Sequence, residues 1–151
     1  MRRAYIVAIA GAIVLFLAIS ALLARVLSAN SAEQSAITTL VNDEARGDAN
    51  AVIGDIEDCR ISSACRDRAS SNATALKHAG AVSIIQIQPS TTFSIAGTHG
   101  TARVAWDVGG SLPIVQCVRV RRTGNAITGL RVELLEVSRR IKSDTACPAR
   151  Y

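Results

Sequence analysis

The sequence predicts an α+β protein. An N-terminal transmembrane helix would be followed by one domain, in which about three helices pack on a curved antiparallel sheet of about four to five strands. Two observations support this prediction. Residues 4–24 form a run of 21 residues without a charge. Beyond this run, apolar residues recur at helical spacing as far as Gly80 and then alternate with polar ones. Helices that precede all strands are typical of the α+β class.

The uncharged run has the length of a membrane span. A helix of 21 residues rises about 31 Å, and the hydrocarbon core of a bilayer is about 30 Å thick. Charged residues stand only at its ends, where long side chains reach the lipid headgroups. Arg2, Arg3 and the terminal amine outweigh Arg25, so the positive-inside rule predicts a cytoplasmic N-terminus.

We therefore expect residues 1–28 to form a cytoplasmic stub and a single-pass anchor, which contacts the lipid bilayer of the cell membrane through residues 4–24. Residues 29–151 would then form an extracytoplasmic domain. The alternative is a signal peptide cut before Ala32, which would make the domain a secreted protein. The apolar core of a signal peptide is typically about 7 to 15 residues long, so the longer run here favours a retained anchor.

Three helices are predicted in the domain, and capping residues mark where they begin. Ser31 and Gln34 have the spacing of a capping box. Asp48 can cap a second helix, and Ser62 or Ser63 can begin a third that carries only a thin apolar stripe. The predicted helices cover residues 31–47, 48–59 and 62–80.

After Gly80 the alternating period predicts strands. The clearest has Ala102, Val104, Trp106 and Val108 on one face. In the last strand the apolar residues change face near Leu135, which indicates a bulge or a strong bend there. The predicted extended segments are 82–88, 91–96, 101–108, 114–122 and 127–141. Turns are predicted at 97–100, at 109–110 and at 123–125.

Four cysteines follow the apolar run, and none lies inside it. An even number of cysteines in an exported domain is typical of a disulfide framework. Four cysteines allow three pairings, between which the sequence alone does not decide. Proximity favours Cys59 with Cys65 and Cys117 with Cys147. Because there is no C-x-x-C pair and no histidine beside a cysteine, we expect no metal site.

Few residues are suited to catalysis, and we expect neither a catalytic residue nor a cofactor. His78 lies at a predicted helix end and His99 in a predicted turn; either could act as a base, and the alternative is an ordinary surface histidine. Asp107 follows Trp106, but strand alternation directs the two side chains to opposite faces. The sequence lacks the G-x-S-x-G, H-E-x-x-H, phosphate-loop and dinucleotide motifs.

Charge is unevenly distributed along the domain. Residues 33–58 carry seven acidic residues against one basic residue, whereas residues 103–150 carry nine basic residues against four acidic ones. The basic end predicts a patch for an anionic lipid headgroup or an acidic wall polymer; the alternative is an ordinary solvated strand face. The patch residues are Arg119, Arg121, Arg122, Arg139 and Arg140, with Lys142 beside them. Nucleic acid is not expected as a partner, because too few aromatic residues are present to stack on bases.

Four segments together suggest a family: RGDANAVIGDI, GTARVAWDV, PIVQCVRVRR and ITGLRVELLEV. Residues 31–141 resemble the NTF2-like (cystatin-like) superfamily, in particular small bacterial secreted or membrane-anchored proteins of the DUF4878 group. This resemblance implies a curved sheet wrapped around a long helix, with a cavity at its open end. Aromatic residues that such domains often carry near the final strand are missing here.

Three functions are consistent with these features. The first is a non-catalytic interaction or accessory domain at the bacterial cell envelope, bound to an envelope protein or to an anionic wall or lipid partner. The second is a carrier that holds a small apolar ligand near Trp106. The third is an isomerase-like enzyme, related to ketosteroid isomerases, that uses Asp107 or His99. The anchor, the cysteines and the scarcity of catalytic groups favour the first.

Overall fold

The computed structural model describes residues 2–89, 99–125 and 129–148. In these ranges the predicted α+β class is confirmed, because helices precede a four-stranded antiparallel sheet with the strand order β1-β2-β3-β4. The helices are α1 (Arg2–Arg46), α2 (Ala49–Asp55), a short 3-10 helix (Glu57–Arg60) and α3 (Ser63–Ala75). The strands are β1 (Val82–Gln88), β2 (His99–Val108), β3 (Ile114–Asn125) and β4 (Gly129–Val137).

Helix α1 is continuous over 45 residues, and this corrects the predicted helix start at Ser31. No glycine or proline occurs between residues 12 and 46, so the backbone meets no residue that would interrupt the helix. Ser31 is an exposed residue inside the helix. The predicted end at Gly47 is confirmed: Gly47 adopts a φ of 75°, and its N–H donates to the carbonyl of Glu44.

The two shorter helices begin at the predicted caps. The Asp48 side chain accepts a hydrogen bond from Ala51 N, and Ser62 Oγ accepts one from Cys65 N. Both helices end earlier than predicted. Helix α2 ends at Asp55 because Ile56 is extended and pairs with Leu134 of β4.

The core lies between α1 and the sheet. Ile37, Leu40 and Val41 of α1 are buried, as the helical spacing predicts. They belong to one hydrophobic cluster with the predicted inner face of β2, where Ala102, Val104, Trp106 and Val108 are buried. This alternation confirms the face assignment of the clearest predicted strand.

The remaining strands follow the prediction with shifted ends. His99 begins β2 and pairs with Arg121, so it does not lie in a turn. Strand β3 continues through the predicted turn at 123–125, because Thr123, a β-branched residue favoured in strands, still pairs with Arg131. The predicted segment 91–96 and the first part of the turn at 97–100 lie outside the described residues.

The bulge predicted near Leu135 is present in β4. Arg119 pairs with Glu136 and Val120 with Leu134, so Leu135 is the extra residue between them. Strand β4 then ends at Val137 rather than near residue 141, and Ile141 forms only an isolated bridge with Val115.

Two disulfides connect the four cysteines, in the pairing that proximity favoured. Cys59–Cys65 joins the 3-10 helix to α3, and Cys117–Cys147 joins β3 to the segment that follows β4. Cys59 and Cys117 have no exposed surface. Each disulfide therefore has at least one cysteine in the packed interior of the domain.

Candidate functional site

The structure divides the predicted basic patch into two groups. Its three members on β3 each pair with a glutamate. The pairs are Arg119–Glu136 (2.9 Å), Arg121–Glu133 (2.6 Å) and Arg122–Glu33 (2.7 Å). The first two are cross-strand charge pairs, which are common stabilising contacts of a sheet face, and the third joins β3 to α1. The first group is thus neutralised within the domain, as in the alternative of a solvated strand face.

Strand alternation explains which partner each arginine finds. Arg119 and Arg121 lie on the outer face of β3 and reach the neighbouring strand β4. Arg122 lies on the inner face and reaches Glu33 of α1. The Glu33 side chain has no exposed surface, so this ion pair fixes the first buried turn of α1 to the end of the sheet.

The second group lies on residues 138–144, which follow β4 and are called the basic segment below. Arg139, Arg140 and Lys142 of this segment are exposed. Arg68 of α3, which the sequence analysis did not include, lines a cavity together with Arg139. The cavity has a volume of about 310 Å³, and Ser138, Ile141 and Pro148 complete its lining.

Arg68 and Arg139 differ from the arginines of β3 in having no side-chain partner among the residues that the structure describes. Arg140 donates a hydrogen bond from Nη2 to the carbonyl of Pro113. A second cavity, of about 680 Å³, shares Ile141 with the first and is lined by Arg140, Lys142 and one acidic residue, Asp144. Basic groups therefore dominate two adjoining cavities.

The basic segment is held firmly against β3. Ser138 N donates to the carbonyl of Cys117, and Cys117 N donates to Ser138 Oγ, at 2.8 and 2.9 Å. Ile141 N donates to the carbonyl of Val115 at 2.8 Å. The Cys117–Cys147 disulfide closes the far end of the segment. Its backbone thus has partners on both sides of Arg139.

A buried polar cluster lies directly behind Ser138. Asn72 Nδ2 donates to Glu44 Oε1 and to the carbonyl of Ser138, both at 2.9 Å. Gln116 Nε2 donates to the same carbonyl at 3.3 Å, and Trp106 Nε1 donates to Gln116 Oε1 at 2.9 Å. This cluster connects α1, α3, β2, β3 and the basic segment.

Glu44 is the only titratable member of this cluster. Burial raises the pKa of its carboxyl to about 7, although hydrogen bonds from Gln116 and Asn72 lower it in part. Its Oε2 atom is buried without a hydrogen-bond partner among the described residues. The side chain has no exposed surface, so a ligand in solution does not reach it in this conformation.

Sequence reasoning missed both buried glutamates, although a signal was present. Glu33 and Glu44 continue the stripe of Ile37 and Leu40 at helical spacing, one at each end. Acidic residues on the buried stripe of a helix need partners inside the protein. Glu33 finds an arginine, whereas Glu44 is hydrogen-bonded by neutral side chains.

The other candidate residues are not brought together. Trp106 is fully buried and donates its indole N–H to Gln116, so it fills the core. Asp107 lies on the opposite face of β2, across from Ser83. His78 lies beyond the end of α3, where its N–H donates to the carbonyl of Ala45. His99 is an exposed residue opposite Arg121 on β3.

Over the described ranges, no group of three or more histidine, cysteine, aspartate or glutamate side chains is arranged to hold a metal ion.

No protein-family model, curated protein or solved structure matches this chain. The fold and the geometry of the sites are therefore the basis for a functional proposal.

The N-terminal half of α1 has surroundings unlike those of the rest of the helix. The large apolar side chains described there are 49–73% exposed. They include five consecutive residues from Ile13 to Leu17, and consecutive residues point in all directions around a helix. Among the described residues, no helix has the combination of length and hydropathy needed to cross a membrane.

Proposed function

We propose that this chain is a membrane-anchored, extracytoplasmic interaction domain of the bacterial cell envelope that acts without catalysis. The observation that carries the proposal is the contrast between the two halves of α1. Ile37, Leu40 and Val41 are at most 1% exposed, whereas Leu15 and Phe16 of the same helix are 62% and 69% exposed.

An apolar surface of this extent needs a covering in the cell. Soluble monomers rarely expose contiguous apolar patches beyond a few hundred Å², and a larger patch marks an interaction or membrane site. A helix that is apolar on every side is typical of a membrane span. The sequence run of 21 uncharged residues, 4–24, matches the thickness of a bilayer core, about 30 Å. A bilayer is thus the proposed covering.

The orientation of the domain follows from charge and from the disulfides. Arg2 and Arg3 favour a cytoplasmic N-terminus by the positive-inside rule. The two disulfides support an oxidising compartment for residues 29–151, because such bonds persist mainly outside the cytosol. The composition, with fifteen arginines against two lysines, suggests a bacterial genome rich in GC.

The described ionisable groups support an interaction role more than a catalytic one. The carboxyl group with the most perturbed environment, Glu44, is sealed in the core. The arginines and the lysine of the basic segment, by contrast, face solvent and suit an anionic partner. The NTF2-like assignment is part of this proposal, and it is supported by the packing of α1 against an antiparallel sheet that follows the helices.

Val14 stands at the centre of the uncharged run and provides a direct test. An arginine at this depth costs about 2.5–3.5 kcal/mol of insertion free energy. We expect the native chain to resist alkaline carbonate extraction from membranes, whereas Val14→Arg is released at least about tenfold more readily. The measurement is the ratio of chain in the pellet to chain in the supernatant.

Gln34→Arg is the matched control, since it adds the same charge at an exposed position of the same helix. This variant should be retained like the native chain. Equal retention of Val14→Arg would contradict the anchor. Recovery of the native chain in the soluble fraction, with the mass of a fragment that begins near Ala32, would contradict a retained anchor. It would show instead that the leader is cleaved.

A further inference from the structure

Arg68 and Arg139 face a common cavity without an ionic partner among the described residues. We propose that this cavity binds the oxyanion groups, phosphate or carboxylate, of an extended anionic polymer in the cell envelope. The extracellular location of the polymer rests on the proposed function. The binding chemistry rests on the two guanidinium groups and on the cavity that they line.

The electrostatic environment of the cavity favours an anion. The three arginines of the predicted patch that lie on β3 are each matched by a glutamate, at N–O distances of 2.6–2.9 Å. Arg68 and Arg139 lack such a match within the described structure, and two guanidinium groups on one cavity repel each other. An oxyanion between them relieves this repulsion, and a guanidinium group binds phosphate or carboxylate through two parallel hydrogen bonds.

Both arginines also stand on fixed backbone. Arg68 precedes Ala69, which has no exposed surface, on a helix joined by the Cys59–Cys65 disulfide. Arg139 follows Ser138, whose carbonyl accepts hydrogen bonds from Asn72 and Gln116. Little backbone ordering is therefore left for the ligand to impose, and such preorganisation favours binding.

The size of the cavity and its continuity with a second cavity favour a polymer over a small ion. The cavity of about 310 Å³ is also lined by Ile141 and Pro148, so it can accept an organic group attached to the anion. It shares Ile141 with the cavity that contains Arg140 and Lys142. A ligand with repeating negative charges can contact all four basic side chains along this path.

The distance of the cavity from the proposed anchor disfavours the headgroups of the chain's own membrane as the ligand. Asn72 connects Ser138 to Glu44 by two hydrogen bonds, so the cavity lies at the level of Glu44 on α1. Glu44 comes 20 residues after Ala24 on the same continuous helix, a rise of about 30 Å. The headgroup layer on each side of the hydrocarbon core is only about 5–8 Å thick. An upright or moderately tilted α1 therefore keeps the cavity clear of its own bilayer.

The test uses the full chain in non-ionic detergent micelles and two charge-matched probes, a poly(glycerol phosphate) and a poly(glutamate). The double variant Arg68→Gln/Arg139→Gln should raise the dissociation constant of the preferred probe at least about tenfold at low ionic strength. The probe that binds the native chain more tightly shows whether the cavity prefers phosphate or carboxylate. Trp106 fluorescence and the retention of the chain in membranes should be unchanged.

The matched control is Lys77→Gln/Arg131→Gln, which removes two charges at exposed positions away from both cavities. Its dissociation constant should stay within about twofold of the native value. Equal weakening by both double variants would reduce the binding to non-specific attraction and overturn the site. A native chain that binds neither polymer would also overturn the site.

A lipid competition experiment separates the polymer from a headgroup. Anionic phospholipid mixed into the micelles should not compete with the polymer for the native chain. Competition by this lipid that depends on Arg68 and Arg139 would overturn the polymer in favour of a headgroup. Failure of the anchor appears only in membrane retention, so it is distinguishable from failure of the cavity.

Discussion

Replacing Cys117 and Cys147 together with alanine should lower the free energy of unfolding by about 3.7 kcal/mol. The bond spans a sequence separation of 30 residues, and cross-linking a loop of this length removes much of the entropy of the unfolded chain. Alanine avoids placing a hydroxyl group at Cys117, which has no exposed surface. Urea unfolding of the full chain in micelles measures the loss, and Trp106, the only tryptophan, reports on the domain core.

The other disulfide supplies the comparison. Cys59 and Cys65 are six residues apart, and their replacement by alanine should cost about 2.4 kcal/mol. The longer loop should therefore cost more by about 1 kcal/mol. An equal or smaller loss for Cys117 and Cys147 would show that loop closure does not determine their contribution. We also expect their loss to weaken polymer binding, since this bond holds the end of the basic segment.

Glu44 should make the domain less stable as the pH rises from about 4.5 to about 7. Its pKa is about 7 in the folded domain, against 4.5 in a solvated chain. Below this interval both states are protonated; within it the unfolded state loses the proton while the folded state keeps it, so the free energy of unfolding falls. The total fall is about 3 kcal/mol and is complete above pH 7.

The variant Glu44→Gln should remove this fall, because glutamine does not titrate. The measurement is the difference in unfolding free energy between the native chain and the variant at several pH values between 4 and 8. The difference is needed because Asp55 adds a slope of the same sign: burial raises its pKa, although Arg46 lowers it in part. Parallel profiles of the two proteins would contradict the assignment.

The sequence predicted the features that depend on neighbouring residues. Asp48 and Ser62 cap helices because a short polar side chain can reach the free N–H groups of the next turn. The inner face of β2, including Trp106, follows from alternation alone. The change of face at Leu135 required an extra residue in the strand, and the register contains it.

The features that were missed depend on distant residues. The capping-box spacing at Ser31 does not begin a helix, because no residue nearby breaks the helix that precedes it. The pairing of Arg119 with Glu136 depends on the register between β3 and β4, which the bulge shifts. The juxtaposition of Arg68 and Arg139 requires α3 to pack beside the segment after β4, which no local pattern in either segment encodes.

Because α1 is continuous, it also determines the rotational orientation of the domain about the helix axis. Because successive residues of an α-helix are rotated by about 100° about the helix axis, removing one residue between positions 25 and 32 would rotate the described residues from Glu33 onward by about that angle relative to residues 5–24. Removing four residues would nearly restore the original orientation and would shorten the helix by about 6 Å. The number of residues in this stretch thus sets both the distance of the domain from residues 5–24 and its rotation about the helix axis.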